Sequence, residues 1–179
     1  MFRVGITLVA VAAMLAGFYL SAQYYSEPLA VAQPSSTGDM IGIQRPEFHL
    51  GSNSGEFVTP ADYSGKMVLF NFWATWCAPC RREMPMLMDL QREYGPRGLQ
   101  VVGIALDDVQ SAMEFAKKYG ISYPILLGEA DVLATSNAYG NVDGVLPYSV
   151  LVDREGVIRW QYVGEIPREK VSDLLDVFL

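Results

Sequence analysis

Trp76-Cys77-Ala78-Pro79-Cys80 contains the only two cysteines of this 179-residue chain. Two thiols three positions apart fit the first turn of a helix and can close a small disulfide, so the pair can alternate between dithiol and disulfide. Before it, Met67-Val68-Leu69-Phe70-Asn71-Phe72-Trp73-Ala74 is a mostly apolar run and reads as a buried strand. After it, Pro79 to about Tyr94 reads as a helix. A strand that delivers a dithiol to a helix start is the context in which C-x-x-C is redox-active rather than metal-binding.

Cys77 is the expected nucleophile. It lies where the strand ends, so its sulfur would face solvent, and the helix N-terminus favours its thiolate by about 0.3–1 kcal/mol or more. Arg81 and Arg82 add positive charge nearby. Cys80, one turn deeper, is the expected resolving thiol. A purely structural bridge is disfavoured, because so short a loop yields only about 2 kcal/mol in the chain-entropy model against roughly 4.7 for a long one. Structural zinc needs four ligands, and the single histidine, His49, is far away in sequence. A two-thiolate Cu(I) site with Met84 and Met88 as soft donors is the remaining metal reading, although methionines at that spacing are more often core filler. No metal and no cofactor beyond the cysteine pair is expected. A peroxidase of peroxiredoxin type would want Pro-x-x-x-Thr-x-x-Cys, and here Phe70 and Ala74 stand at its proline and threonine positions.

With 51% apolar and 18% charged residues the chain can bury one ordinary core plus an accessory segment. A net charge of −7 with no basic block argues against nucleic acid. The accessory segment is N-terminal. No charged side chain follows Arg3 until Glu27, and Val4 to Ala22 are almost wholly apolar. At 1.5 Å per residue they would span roughly 28 Å, close to the ~30 Å of a bilayer's hydrocarbon. Arg3 places the first end in the cytoplasm, and Tyr24 and Tyr25 fall where an outer aromatic belt would lie. The alternative is a cleaved secretory segment, with Leu20-Ser21-Ala22 or Ala30-Val31-Ala32 as a loose cleavage site. Either way the rest of the chain is expected outside the cytoplasm, where a lone cysteine pair is oxidised unless something keeps it reduced. The expected organisation is an anchor over 1–26, a tether rich in Pro, Ser and Gly over 27–45, and one domain over 46–179.

Within that domain strands alternate with helices. Glu47–Leu50 and Glu56–Val58 read as a short hairpin, and Leu99–Leu106 as a second buried strand. Ser111 and Glu114 have capping-box spacing ahead of a helix with Ala112, Phe115, Ala116 and Tyr119 on one face. Residues 121–141 add a strand (Pro124–Leu127) and a helix (Val132–Tyr139). Tyr148–Val152 and Val157–Val163 read as a hairpin, and Val171, Leu174, Leu175 and Phe178 as the apolar stripe of a closing helix. The fold class is α/β, a central mixed sheet with helices on both faces.

The stretch from Phe72 to Pro85, Phe-Trp-Ala-Thr-Trp-Cys-Ala-Pro-Cys-Arg-Arg-Glu-Met-Pro, resembles the active-site segment of thioredoxin-like proteins. More narrowly it is similar to their membrane-anchored, periplasm-facing branch (TlpA/ResA/DsbE type). The resemblance runs from about Pro46 to the C-terminus and takes in the anchor and the extra segment at 121–141. It implies a monomeric thioredoxin-like thiol–disulfide oxidoreductase held in the inner membrane through residues 4–22 and facing the periplasm. Such proteins commonly reduce exported clients in cytochrome c maturation or metal-centre assembly, recharged by a membrane thiol donor. An oxidant or isomerase is the alternative within the same chemistry, and a Cu(I) chaperone the one outside it.

Further site residues follow from the resemblance. Pro147 stands where the family places a cis-proline facing the dithiol, and Leu146 precedes it where many relatives carry threonine, a departure that bears on substrate preference. Trp76, Ala78 and Pro79 complete the expected substrate-contact set, while Trp73 reads as core. Glu83, three residues past Cys80, matches the acidic residue of the anchored branch and would take or supply the Cys80 proton. Asn71 occupies the position where ordinary thioredoxins carry a buried aspartate, so another group must handle that proton. Pro85 removes a helical N–H and acts on shape alone.

Overall fold

The computed structural model describes residues 38–179, so the anchor expected over 1–26 and most of the tether lie outside the described residues. Strands β1 (Leu50–Ser52), β2 (Phe57–Val58), β3 (Met67–Trp73), β4 (Leu99–Leu106), β5 (Ile125–Gly128), β6 (Tyr148–Val152) and β7 (Ile158–Val163) alternate with helices α1 (Ala78–Tyr94), α2 (Val109–Tyr119), α3 (Ala130–Ala138) and α4 (Arg168–Phe178). The strands form one sheet in the order β2-β1-β5-β4-β3-β6-β7. β3, β4 and β5 run parallel, while β6 returns antiparallel to β3 and pairs antiparallel with β7. This is the thioredoxin-like α/β arrangement, a mixed sheet flanked by helices.

β3 lies inside the sheet between β4 and β6, and all seven of its residues are buried. Alternation along a strand sends successive side chains to opposite faces. Val68, Phe70 and Phe72 join Phe48, Tyr139 and Tyr148 on one face, covered by Val132 of α3. Met67 and Leu69 meet Leu87 and Leu90 of α1 and Val171 and Leu175 of α4 on the other. Trp73 packs there with Met84, Ala112 and Ala116, close to both cysteines. Asn71 belongs to this second face and is the one polar residue of the strand. The core therefore forces the C-terminal end of β3, and the dithiol after it, against the helix pair α1 and α2.

Three expectations shift. The start of α2 is capped by Asp108, whose Oδ1 accepts the Ser111 N–H at 2.9 Å. The cap spacing is right but begins three residues earlier than Ser111, because a carboxylate at the end of β4 also complements the helix N-terminus. β1 begins at Leu50 rather than Glu47, since its partners reach only Leu50 to Ser52. Residues 38–45, read as the end of the tether, are hydrogen-bonded to the domain. Gly42 N–H donates to the Ile158 carbonyl, Ile158 N–H to the Ile43 carbonyl and Arg45 N–H to the Gly156 carbonyl, at 2.8–2.9 Å. These are backbone bonds, which leave no apolar pattern in the sequence.

Candidate active site

Cys77 is the N-cap of α1, and its Sγ accepts the Cys80 N–H at 3.3 Å. Pro within the first two positions suits a helix start, where an N–H is orphaned anyway. The chain reaches this cap through Thr75, whose N–H and hydroxyl both donate to Asp107 Oδ2, at 2.8 and 2.6 Å. Asp107 thus ties the loop before the dithiol to the end of β4. Cys77 and Cys80 are joined in a disulfide, their Cα atoms 5.3 Å apart. Cys77 keeps 5% of its surface exposed and Cys80 none. The expected solvent-facing sulfur is therefore mostly covered in this disulfide form, yet only Cys77 offers any surface to an attacking thiolate.

Trp76 is 69% exposed beside the pair, whereas Trp73 is fully buried beneath it. Ala78 is exposed and Pro79 half-buried. Leu146 packs against the cluster that holds both cysteines, and the Leu146–Pro147 peptide bond is cis. A cleft of about 410 Å³ next to Trp76 is edged by Leu106, Asp107, Asp108 and Glu129. Arg82 is drawn to Glu165 at 2.8 Å, and Arg81 is exposed. Met84 is core beside Trp73, and His49 stacks on Phe57 at the far edge of the sheet. Among the described residues no group of three or more His, Cys, Asp or Glu side chains is placed to hold a metal ion.

Among the described carboxyls Glu83 is the one whose pKa is raised most. It is 2% exposed, on the helical face of Cys80. Its Oε1 accepts from Asn71 Nδ2 at 2.7 Å and its Oε2 from the Ile166 N–H at 3.0 Å. Burial pushes its pKa up to about 7; the two hydrogen bonds oppose that rise, and the Glu165 charge adds to it. Glu83 is therefore a buried carboxyl and not a solvated surface charge. Asn71 Nδ2 also donates to Ser149 Oγ at 2.9 Å. Ser149 and the Ile166 amide had not been singled out from the sequence. Ser149 was discoverable, being the one serine in a strand of otherwise bulky residues and the register partner of Asn71. Ile166 contributes only backbone, and nothing in its side chain marks it.

A redox dithiol capping a helix on a thioredoxin-like sheet defines a thiol–disulfide oxidoreductase. Known proteins agree. The model of the AhpC/TSA family matches residues 41–161, and the chain belongs to that family. It is 32% identical over 175 residues to "Thiol-disulfide oxidoreductase ResA" of Geobacillus thermodenitrificans, covering 97% of this chain and 92% of that protein. It is 36% identical over 144 residues to "Thioredoxin-like protein YneN" of Bacillus subtilis, covering 78% and 81%. Among solved structures, a thiol:disulfide interchange protein of the thioredoxin family from Chlorobium tepidum superposes with a TM-score of 0.67 at 27% identity, covering 79% of this chain and 99% of that one. A DsbF homologue from Corynebacterium diphtheriae gives the same score and identity, covering 75% and 86%.

Proposed function

We propose that the protein is an envelope thiol–disulfide reductase of exported clients, anchored through residues 4–22, with Glu83 as the proton carrier of its dithiol. The single observation behind this is a carboxyl buried one helical turn from the buried thiol, with its pKa raised to about 7. In the reduced enzyme the Cys77 thiolate attacks a client disulfide, forming a mixed disulfide and releasing one client thiolate. Cys80 then gives its proton to the Glu83 carboxylate and attacks Cys77 Sγ. That step closes the intramolecular disulfide and expels the second client thiolate, so two electrons pass from enzyme to client. A membrane thiol donor returns them. A carboxyl with a pKa near ambient pH suits this duty.

Trp76, Ala78, Pro79, Leu146 and Pro147 form the proposed client contact, an apolar rim around Cys77, the cysteine with some exposed surface. ResA relatives that align over 97% of the chain support placing the domain in the cell envelope, and the apolar run at 4–22 supports the anchor. Cytochrome c maturation or metal-centre assembly is the proposed setting, with the enzyme working as a monomer. The test is trapping with Cys80→Ser: client proteins should accumulate as mixed disulfides on Cys77, identifiable by mass spectrometry. Titration against a dithiothreitol couple should give a reducing midpoint; a strongly oxidising one would reverse the direction and favour an oxidant or isomerase.

A further inference from the structure

Residues 164–167 join β7 to α4, and the first three are each tied down. Gly164 N–H donates to the Pro147 carbonyl at 2.8 Å, which carries the β6–β7 ladder one step beyond Tyr148 opposite Val163. Glu165 reaches back to Arg82 at 2.8 Å. Ile166 is 4% exposed, its side chain in the cluster of Leu87, Leu90, Val171 and Leu175, and its N–H donates to Glu83 Oε2 at 3.0 Å. A backbone bond to the cis-proline and one to the buried acid are thus only two residues apart. Asn71 is on Oε1, and among the described residues Oε2 has no hydrogen-bond partner besides the Ile166 N–H.

Gly164 has a φ of +95°, a backbone direction open to glycine and strained for other residues. A side chain there would meet no atom within 4 Å of its Cβ. Lack of room therefore does not require glycine at this point; the direction of the backbone does. We infer that Gly164 is a positioning residue for Glu83: its left-handed backbone lets one turn grip the client-contact proline and the proton-carrying carboxyl at once. This rests on the roles proposed for Pro147 and Glu83. With the 164 N–H fixed on Pro147, a φ driven to the negative side would swing the following peptide groups and carry the Ile166 N–H off Oε2. A carboxylate that loses a donor holds its proton more tightly. The Arg82–Glu165 pair, 60 and 41% exposed, is too open to water to hold the turn by itself. The titratable and charged groups around Glu83 are Cys80 one turn back, Tyr123, and Glu165 with its Arg82 partner. Tyr123 stays protonated, because burial and then the Glu83 charge both oppose its ionisation. An uncharged substitution at 164 adds or removes none of these charges and so reads the backbone contact.

The midpoint of Glu83 is read by NMR from its ¹³C-labelled carboxyl in the full chain, assigned by its loss in Glu83→Gln. Gly164→Ala adds a methyl in open space but strains the backbone, and should raise that midpoint by about half a pH unit or more. Gly55→Ala is the control. Its φ of +87° and empty surroundings impose the same kind of strain between β1 and β2, and the midpoint should stay in place. Gly164→Asn accepts left-handed backbone more readily, so it should fold even where alanine does not, with a smaller rise in the same direction. An unmoved midpoint in Gly164→Ala overturns the inference, as does one in Gly164→Asn should the alanine variant not fold, or an equal rise in Gly55→Ala. Because the carboxyl is observed directly, this result is separate from the proton-carrier role, which the pH profile of exchange in Glu83→Gln decides.

Discussion

A carboxylate kept from water can be held ready to take a proton at neutral pH, and Glu83 reaches that condition mainly by burial. The same shift has a cost in stability with a definite sign. Its folded pKa, about 7, lies above the ordinary 4.5, so folding favours the protonated form. Its contribution is complete below about pH 4.5 and is lost as pH rises through about 7. We expect the thermal midpoint of the wild-type protein to fall between about pH 5 and pH 8, and Glu83→Gln to flatten that decline. A slope unchanged by the substitution would show that Glu83 titrates normally. Asn71→Asp should act the other way. It removes the donor 2.7 Å from Glu83 Oε1 and sets a second carboxyl there. The two acids should then share one proton, titrating in two separated steps with the upper one above that of Glu83 alone. The pH dependence of the exchange rate will display it.

Elements carry the next set of effects. The cysteine motif, the strand before it and the helix after it were legible because apolar runs, helix-start proline and thiol spacing all point the same way. The start of α2 was legible only in kind. Two carboxylates, Asp107 and Asp108, follow β4, and one of them is committed to Thr75 while the other caps the helix. No periodicity tells which does what. Asp108→Ala should therefore lower the urea midpoint measurably, whereas Ser111→Ala should leave it close to wild type. Urea denaturation of the two variants distinguishes the caps. Glu83 was recognisable from its spacing to Cys80, but the Ile166 amide that donates to it was not, because the turn before α4 reaches it only through the sheet's crossover order; Ser149 joins only by way of Asn71.

For the molecule as a whole, residues 38–45 are the part that sequence patterning misplaced. They pair with the start of β7, an edge strand of the sheet, through Gln44 opposite Val157 and through the bonds to Ile158 and Gly156. A paired edge is a protected edge. Deleting 38–44 from the domain should lower its unfolding free energy by on the order of 1–3 kcal/mol and promote self-association, measurable by denaturation and light scattering. Equal stability and unchanged scattering would return this segment to the tether. The larger groove of about 890 Å³ along α2, edged by Val109, Met113 and Ile121, has none of the dithiol, Trp76, Leu146 or Pro147 in its wall. Size alone would have misdirected the search for chemistry.

The single bond from the Ile166 amide to Glu83 also makes the far end of the chain a witness to events at the sulfurs. Residue 166 is separated from the cysteines by most of the domain's length in sequence, yet its N–H rests on the same carboxylate. Whenever that acid picks up or sheds its proton, the strength of this contact changes, and with it the anchorage of the segment leading into the final helix. Deuterium uptake at that one peptide group, faster when the acid is neutral than when it is charged, would record the catalytic cycle without a probe touching the active centre.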